Sequence, residues 1–431
     1  MAAVWNVEAS DPPECGRVGT ILEMSAPGDT ILLGPGRYLE NLVVPHDCTL
    51  MGSGLHSTIL EPCDGVGSVL RAERLDTLRV SGLGLVHGTG SFPEGLPRRV
   101  GGGMFLDRCG WVSVTDCLFE ENTAEIGGGV SLVAGHGDFE RCVFVNNDGE
   151  EGAGALYLGV ASDVILQDCA VRWDHDGLSL YPAIQGSYSD RLSLVGCEFI
   201  GNVSWGGEQG LHLDTYDVTV RDCLFWDDGD AASATDIDLF PFDNEENDTD
   251  VLVLNTVFGS SQRLAGHPIT IFSGRGEVTI AQTTTVNRDL SVGGYVPSQT
   301  FRNSIVQNGR LSLYGPDGSD GSCNVFWNVD ITNQGFDLTS SQVADPLLCS
   351  VEERNFNVES GSPCRPEHSH ECGWIGALEG ECAPTPVLVS AMDARQIPSG
   401  GVAVSWTWEG VEPATSWSLW RATPGETALV R

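Results

Sequence analysis

Apolar and polar residues alternate along this chain in runs of four to six, broken by Gly, Asn and Asp. Alternation of period two marks a half-buried strand, and Gly, Asn and Asp form turns. No stretch carries a sustained helical stripe, so the pattern predicts strands throughout. The runs also return in a fixed order. One copy is Gly128-Gly129-Val130-Ser131-Leu132-Val133, followed by Asp138-Phe139-Glu140-Arg141-Cys142-Val143-Phe144-Val145-Asn146-Asn147. The first half returns as GGMFLD, GALYLG, DGLSLY, QGLHLD, TDIDLF, HPITIF and GRLSLY, the second as VSVTDCLF, VILQDCAV, LSLVGCEF and VTVRDCLF.

Matching positions Met104, Val130, Leu156, Leu178, Leu211, Ile237 and Ile269 are 26, 26, 22, 33, 26 and 32 residues apart. A repeat of this length denotes a stacked array in which each coil contacts its neighbours. The fold class is all-β: a parallel β-helix of about ten coils, roughly 50 Å long at ~4.8 Å per coil. Residues 1–27 are expected to form a cap, 28–382 the β-helix, and 383–431 a separate β segment. Variable repeat lengths place the extra residues in loops on one side of the rod.

The GGxx blocks, with Phe119-Glu-Glu-Asn122, Phe144-Val-Asn-Asn147 and Phe199-Ile-Gly-Asn202, resemble right-handed parallel β-helix repeats of bacterial surface proteins, among them the chlamydial polymorphic outer-membrane adhesins. The resemblance spans about Gly28 to Glu379. It implies a rod and a bacterial surface or extracellular location. It is poor in functional detail, because pectate lyases, polygalacturonases, alginate epimerases, adhesins and phage tailspikes share this rod. A second resemblance rests on Asn303-Ser-Ile-Val306, Ser322-Cys-Asn-Val-Phe326, Asp345-Pro-Leu-Leu348, Asn355-Phe-Asn-Val358, Ser360-Gly-Ser-Pro-Cys364 and Gly373-Trp-Ile-Gly-Ala-Leu-Glu379. These resemble the terminal coils of choice-of-anchor proteins. Val387-Leu-Val-Ser, Gly401-Val-Ala-Val-Ser-Trp-Thr-Trp408 and Ser416-Trp-Ser-Leu-Trp-Arg421 resemble the first half of a fibronectin type III module.

The formal charge of −38 and the absence of lysine change the picture. They argue against nucleic acid, which needs a basic face, and leave no basic patch for anionic lipid. No apolar run approaches transmembrane length. Met1 to Glu8 has no apolar signal core, so a leader is expected to have been removed or export to follow another route. The chain is expected to act as a monomer.

Cys117, Cys142, Cys169, Cys197 and Cys223 recur at steps of 25, 27, 28 and 26, which predicts an inward ladder of inert thiols. Cys349, Cys364, Cys372 and Cys382 sit in a Pro- and His-rich stretch, where two disulfides would suit an oxidising compartment. Cys48 and Cys63 either pair or stay buried. Arg98-Arg99 offers a contact for a carboxylated sugar or a solvated turn.

If Leu178, Leu180, Leu211, Leu213, Ile237 and Leu239 point inward, their neighbours point out. One outward column would hold Tyr157, Ser179, His212, Asp238, Thr270 and Ser312, and the next Tyr181, Asp214, Phe240, Phe272 and Tyr314. Asp174, His175, Asp176 and Asp236 lie upstream. Rings beside carboxylates and histidines suit an oligosaccharide groove, so the expected function is non-catalytic binding of carbohydrate or another surface ligand. The alternative is a polysaccharide-active enzyme with Asp176, His212, Asp214 and Asp238 as acid and base. Gly135-His136-Gly137 resembles a polygalacturonase fragment, in the wrong order, and Trp173-Asp174-His175 a pectate-lyase one. A spacer rod is a third reading. Asp227, Asp228, Asp230, Asp243, Glu245 and Asp248 have the oxygen density calcium requires, without the spacing of a known calcium loop.

Overall fold

The computed structural model describes residues 2–93, 97–160, 162–172, 183–201, 211–227, 237–240, 250–273, 276–294, 299–369, 371–382, 388–396 and 402–409. Within these, the side chains at 187–189, 211–216, 227, 237–240, 262, 264–268, 272–273, 294 and beyond 387 fall outside the description. Two units are present, Met1–Glu379 and Gly380–Arg431. The first is a parallel β-helix, a 31-stranded sheet wound into three faces. In the second, Leu388–Gln396 pairs antiparallel with Val402–Glu409.

On the first face Leu42, Leu70, Met104, Val130, Leu156, Ile184, Leu211, Ile237, Ile269, Leu290, Leu311 and Ile331 stack in register. Eleven steps of ~4.8 Å give about 53 Å. Ile184, not Leu178, pairs with both Leu156 and Leu211. Ile184 therefore holds the place expected for Leu178, and the DGLSLY block lies outside the described residues. The resemblance of DGLSLY to GALYLG is local, and pairing follows the longer repeat that ends in the cysteine.

The corners of the coils are set by single residues in the left-handed region. At the second corner these are Asp116, Arg141, Asp168, Gly196, Asp222, Asn255, Gln282 and Asn303, with φ between 47° and 65°. Asn, Asp and Gly tolerate that conformation best. The next residue points inward. There the predicted ladder stands: Cys117, Cys142, Cys169, Cys197 and Cys223 are buried and free. Each thiol donates to the carbonyl two residues back, at 3.2–3.5 Å. Thr256 and Ser304 continue the column with the same bond at 2.8 and 2.9 Å. Burial pushes the Cys117 thiol upward, consistent with inert packing.

The FxxN signature has a parallel explanation. Phe119 stacks on Phe144 at 4.8 Å, and Phe199 on Phe225 at 4.6 Å. Asn122 and Asn147 are buried. Asn122 donates from its amide Nδ2 and backbone N to Asn147 Oδ1 at 2.9 and 3.2 Å. It also donates to Leu85 O, and Asn147 donates to Phe119 O. The glycine pairs answer close backbone approach. A Cβ on Gly102 would lie 2.3 Å from Gly128 O, and one on Gly128 2.3 Å from Asp148 O.

The rod begins earlier than residue 28. Val4–Val7 already pairs in parallel with Thr30–Leu33. A short helix that the strand pattern did not predict, Arg17–Met24, lays Val18 and Leu22 into the core. The Glu40 carboxylate accepts the Val18 and Gly19 N–H groups. Asp29 ties the lead-in strand down by accepting from Trp5 Nε1, Ala3 N and Ala26 N. The rod sheet also ends earlier, at Gln342–Val343. Residues 345–379 are not terminal coils. They carry an antiparallel pair, Leu348–Ser350 with Asn355–Val358, and fold back over outward residues of the third face. Phe356 and Ala377 pack on Trp226, Val257 and Val286, and Ile375 packs with Ile305 and Val325. Cys323–Cys372 fastens this strap, and Cys349 and Cys382 are disulfide-bonded as well. Cys364, an expected disulfide partner, is instead a buried free thiol pushed up to about 12 by burial. Cys323 takes its place because the strap returns alongside its coil.

Two predictions follow from these ladders. Asn147→Ala strands two buried Asn122 donors and should cost roughly 2–3 kcal/mol, whereas Asn328→Ala, in an exposed amide ladder, should change the urea midpoint little. The Asp29 carboxyl is held at about 2, chiefly by the Trp5 hydrogen bond and then by backbone N–H groups. A depressed carboxylate contributes stability that is complete above its unfolded pKa, near 4, and lost as pH falls towards 2. Trp5 fluorescence followed through that window should report release of the lead-in strand, and Asp29→Asn should flatten the acid limb.

Candidate functional site

The first corner of each coil carries the best-defined group of chemically active side chains. Gly135 has φ 146°, and a Cβ there would lie 2.2 Å from Cys109 O. A Cβ on Gly110 would lie 2.8 Å from Asp76 O. These glycines let the chain turn tightly, and the residue after each, Trp111 or His136, starts the second face. Pairing sets Trp111 beside Thr77, His136 beside Asp163, Asp163 beside Arg191 and Arg191 beside Asp217.

The side chains interlock along this column. The Trp111 and His136 rings stack with centroids 4.0 Å apart at 25°. His136 Nδ1 lies 3.2 Å from Asp163 Oδ2, and Arg191 Nη1 lies 3.8 Å from the same oxygen. The His136 ring and the Arg191 guanidinium thus face one carboxylate oxygen of Asp163 from two sides. His136 Nε2 and Asp163 Oδ1 are both buried atoms with no hydrogen-bond partner. Trp111 is 43% exposed, since the short Thr77 on its other side covers little of the indole. The corner thus presents an aromatic surface and a half-exposed guanidinium above a buried ring nitrogen and a buried carboxylate oxygen.

The predicted groove on the first face is only partly described. Register sets Tyr157, Gln185, His212, Asp238, Thr270, Ser291 and Ser312 in one column. Gln185 stands where Ser179 was expected. Asp214 pairs with Phe240, and Phe272 with Gly293, which pairs with Tyr314. Backbone position is all that is described for His212, Asp214, Asp238, Phe240 and Phe272. His175, Asp176 and Tyr181 lie outside the described residues, as do Asp228, Asp230, Asp243, Glu245 and Asp248 and the Asp227 side chain, so the calcium expectation lies there too. Tyr157 is half-buried and Tyr314 is 39% exposed, six coils away. At the N-terminal end the outward face is not open. Phe105 and Ser131 are buried because Gly101 and Gly127 fold back against them. Among the described residues no group of three or more His, Cys, Asp or Glu is placed to hold a metal.

Arg98 and Arg99 are already engaged. Arg98 pairs with Glu151 at 2.9 Å, and Arg99 with Glu150 at 2.6 Å and Glu125 at 3.5 Å. The turn therefore carries ion pairs between coils.

The corner column was missed from sequence, yet its signal was present. Trp111, His136, Asp163, Arg191 and Asp217 each stand six residues before a ladder cysteine. Aligning repeats on the cysteine, instead of on the GGxx block, brings them into one column. No family model and no curated protein sequence matches this chain, so its function rests on geometry.

Proposed function

We propose that this chain is an extracellular or cell-surface rod that binds carbohydrate without cleaving it, and that the Trp111–His136–Asp163–Arg191 corner is its contact strip. The observation that carries the reading is the solvent-exposed Trp111 indole, backed by the His136 ring and continued by a polar group on each successive coil. Indole surfaces suit the apolar faces of sugar rings, and the tip can still hydrogen-bond. Groups repeated every ~4.8 Å meet a run of hydroxyls along an extended glycan. Arg191, whose side chain is half-exposed, donates to a hydroxyl, while His136 and Asp163 brace the indole and the guanidinium from beneath. Two disulfides support an oxidising compartment. The mixed character of the strip favours neutral or sparsely charged glycans, because an anionic polymer would approach a chain of net charge −38 against repulsion.

Immobilised neutral polysaccharides should retain the full chain, with calcium or with chelator, and uronic-acid polysaccharides should retain it less. Trp111→Ala should weaken that retention by about 2 kcal/mol, roughly thirtyfold, as truncation of a central aromatic does. Trp327→Ala, which removes an indole of similar exposure on the third face, should leave it unchanged. Equal affinity of the Trp111→Ala and unaltered chains would sink the proposal. New reducing ends, lost in His136→Gln, would instead make the His136–Asp163 pair an acid–base device.

A further inference from the structure

Cys15 and Cys63 lie on either side of one backbone carbonyl. Cys15 forms an isolated parallel bridge with Leu39, and Gly16 N donates to Leu39 O at 3.0 Å. Leu39 pairs in turn with Glu61, two residues before Cys63, whose thiol donates to the same Leu39 O at 3.1 Å. Both residues thus meet at Leu39, one from each neighbouring coil. Cys15 is exposed and Cys63 half-exposed. Cys48, the alternative partner for Cys63, is buried in the core and is pushed up to about 12 by burial.

Their position gives the contact a consequence. Cys15 immediately precedes Gly16, the left-handed N-cap of the Arg17–Met24 helix. That helix covers the end of the core through Val18 and Leu22, both fully buried. Its other side-chain tether at this end is Glu40, next to Leu39. A covalent link from Cys15 to Cys63 would fix the start of the cap helix to the coil that carries Thr58–Glu61.

We propose that Cys15 and Cys63 are a thiol pair that closes into a disulfide and staples the N-terminal cap to the rod. The oxidant is a low-molecular-weight disulfide. The exposed Cys15 thiolate attacks one sulfur of the oxidant and expels one thiolate, which takes up a proton. Cys63 then loses its proton to solvent and attacks the Cys15 sulfur of the mixed disulfide, expelling the second thiolate. Two protein thiols and one external disulfide become one protein disulfide and two external thiols. Burial and the neighbouring Cys15 hold the Cys63 thiol up at about 12, so Cys15 attacks first and Cys63 resolves.

The test uses the full chain, treated with oxidised glutathione under native conditions, then denatured, alkylated, digested and read by mass spectrometry. A peptide linked through Cys15 and Cys63 is expected, with the ladder cysteines still alkylated. Limited proteolysis within residues 1–28 should slow by at least about tenfold on oxidation. Cys15→Ser should abolish both effects and leave the reduced-state cleavage rate unchanged. Two alkylatable thiols after oxidation would overturn the proposal. A stable glutathione adduct on Cys15 with Cys63 unlinked would also overturn it. So would a linked pair that leaves cap cleavage unchanged.

Discussion

In-register parallel stacking is the constraint on which the rest of the molecule depends. Each coil hydrogen-bonds to the next through its backbone, so a residue meets its counterpart one repeat away at ~4.8 Å. The inward column of the first face is apolar: Met104, Val130, Leu156, Ile184, Ile269, Leu290 and Leu311 are all at most 2% exposed. Where backbones converge more closely than a methyl group permits, glycine pairs appear, as at Gly102-Gly103 and Gly128-Gly129. Sequence repetition is thus a consequence of geometry, coil by coil.

Corners show how the constraint shapes side-chain choice. The carbonyl before each tight left-handed bend accepts a backbone N–H from the neighbouring coil, and a carbonyl oxygen has room for a second donor. The inward residue after the bend supplies that donor from its side chain. Cysteine does so over five coils, threonine and serine over the following ones, and Asn324 near the end, donating to Phe301 O and Gly321 O. Changing chemistry at one geometric slot shows that the slot needs a small donor, not a thiol as such. The contrast with Cys323 and Cys372 is then clear: those lie where the strap meets the rod, and there sulfur forms a bond.

The sequence read well wherever repetition was strong. The period, the strand class, the buried thiol ladder and the separate C-terminal β segment were all legible, because each is written many times over. The reading failed where a feature occurs once. Leu178 was aligned on a chance likeness to GALYLG, and the coil pairing prefers Ile184. The Arg17–Met24 helix is too short to show a stripe. Residues 345–379 alternate like coil strands, since a strap packing one face on the rod has the same period as a strand packing one face on the core. Cys323 was overlooked as a disulfide partner because its mate is 49 residues away. The Trp111 column was hidden for a different reason: its members differ, so it could be found only through the conserved spacing to the cysteines.

That difference is itself an argument about function. A column that serves only stability tends to repeat, since like residues stack on like: Phe119 on Phe144, Asn122 on Asn147, Cys169 near Cys197, and Asn328 to Asn308 to Asn287 on the outside. Repeating an ionised group has a cost, about 1 kcal/mol for like charges at this spacing in water. Hydroxyl, amide or aliphatic residues are the economical filling for an outward column. Trp111, His136, Asp163 and Arg191 are four different residues in four successive coils, and they are arranged so that ring meets ring and Asp163 lies between histidine and arginine. Stacking alone does not require such heterogeneity, whereas a surface that must match the unlike parts of a ligand does. The Trp111 column, unlike the Phe, Asn and Cys ladders beside it, is one of the places where this rod does not repeat itself, and that is what supports placing the proposed recognition there.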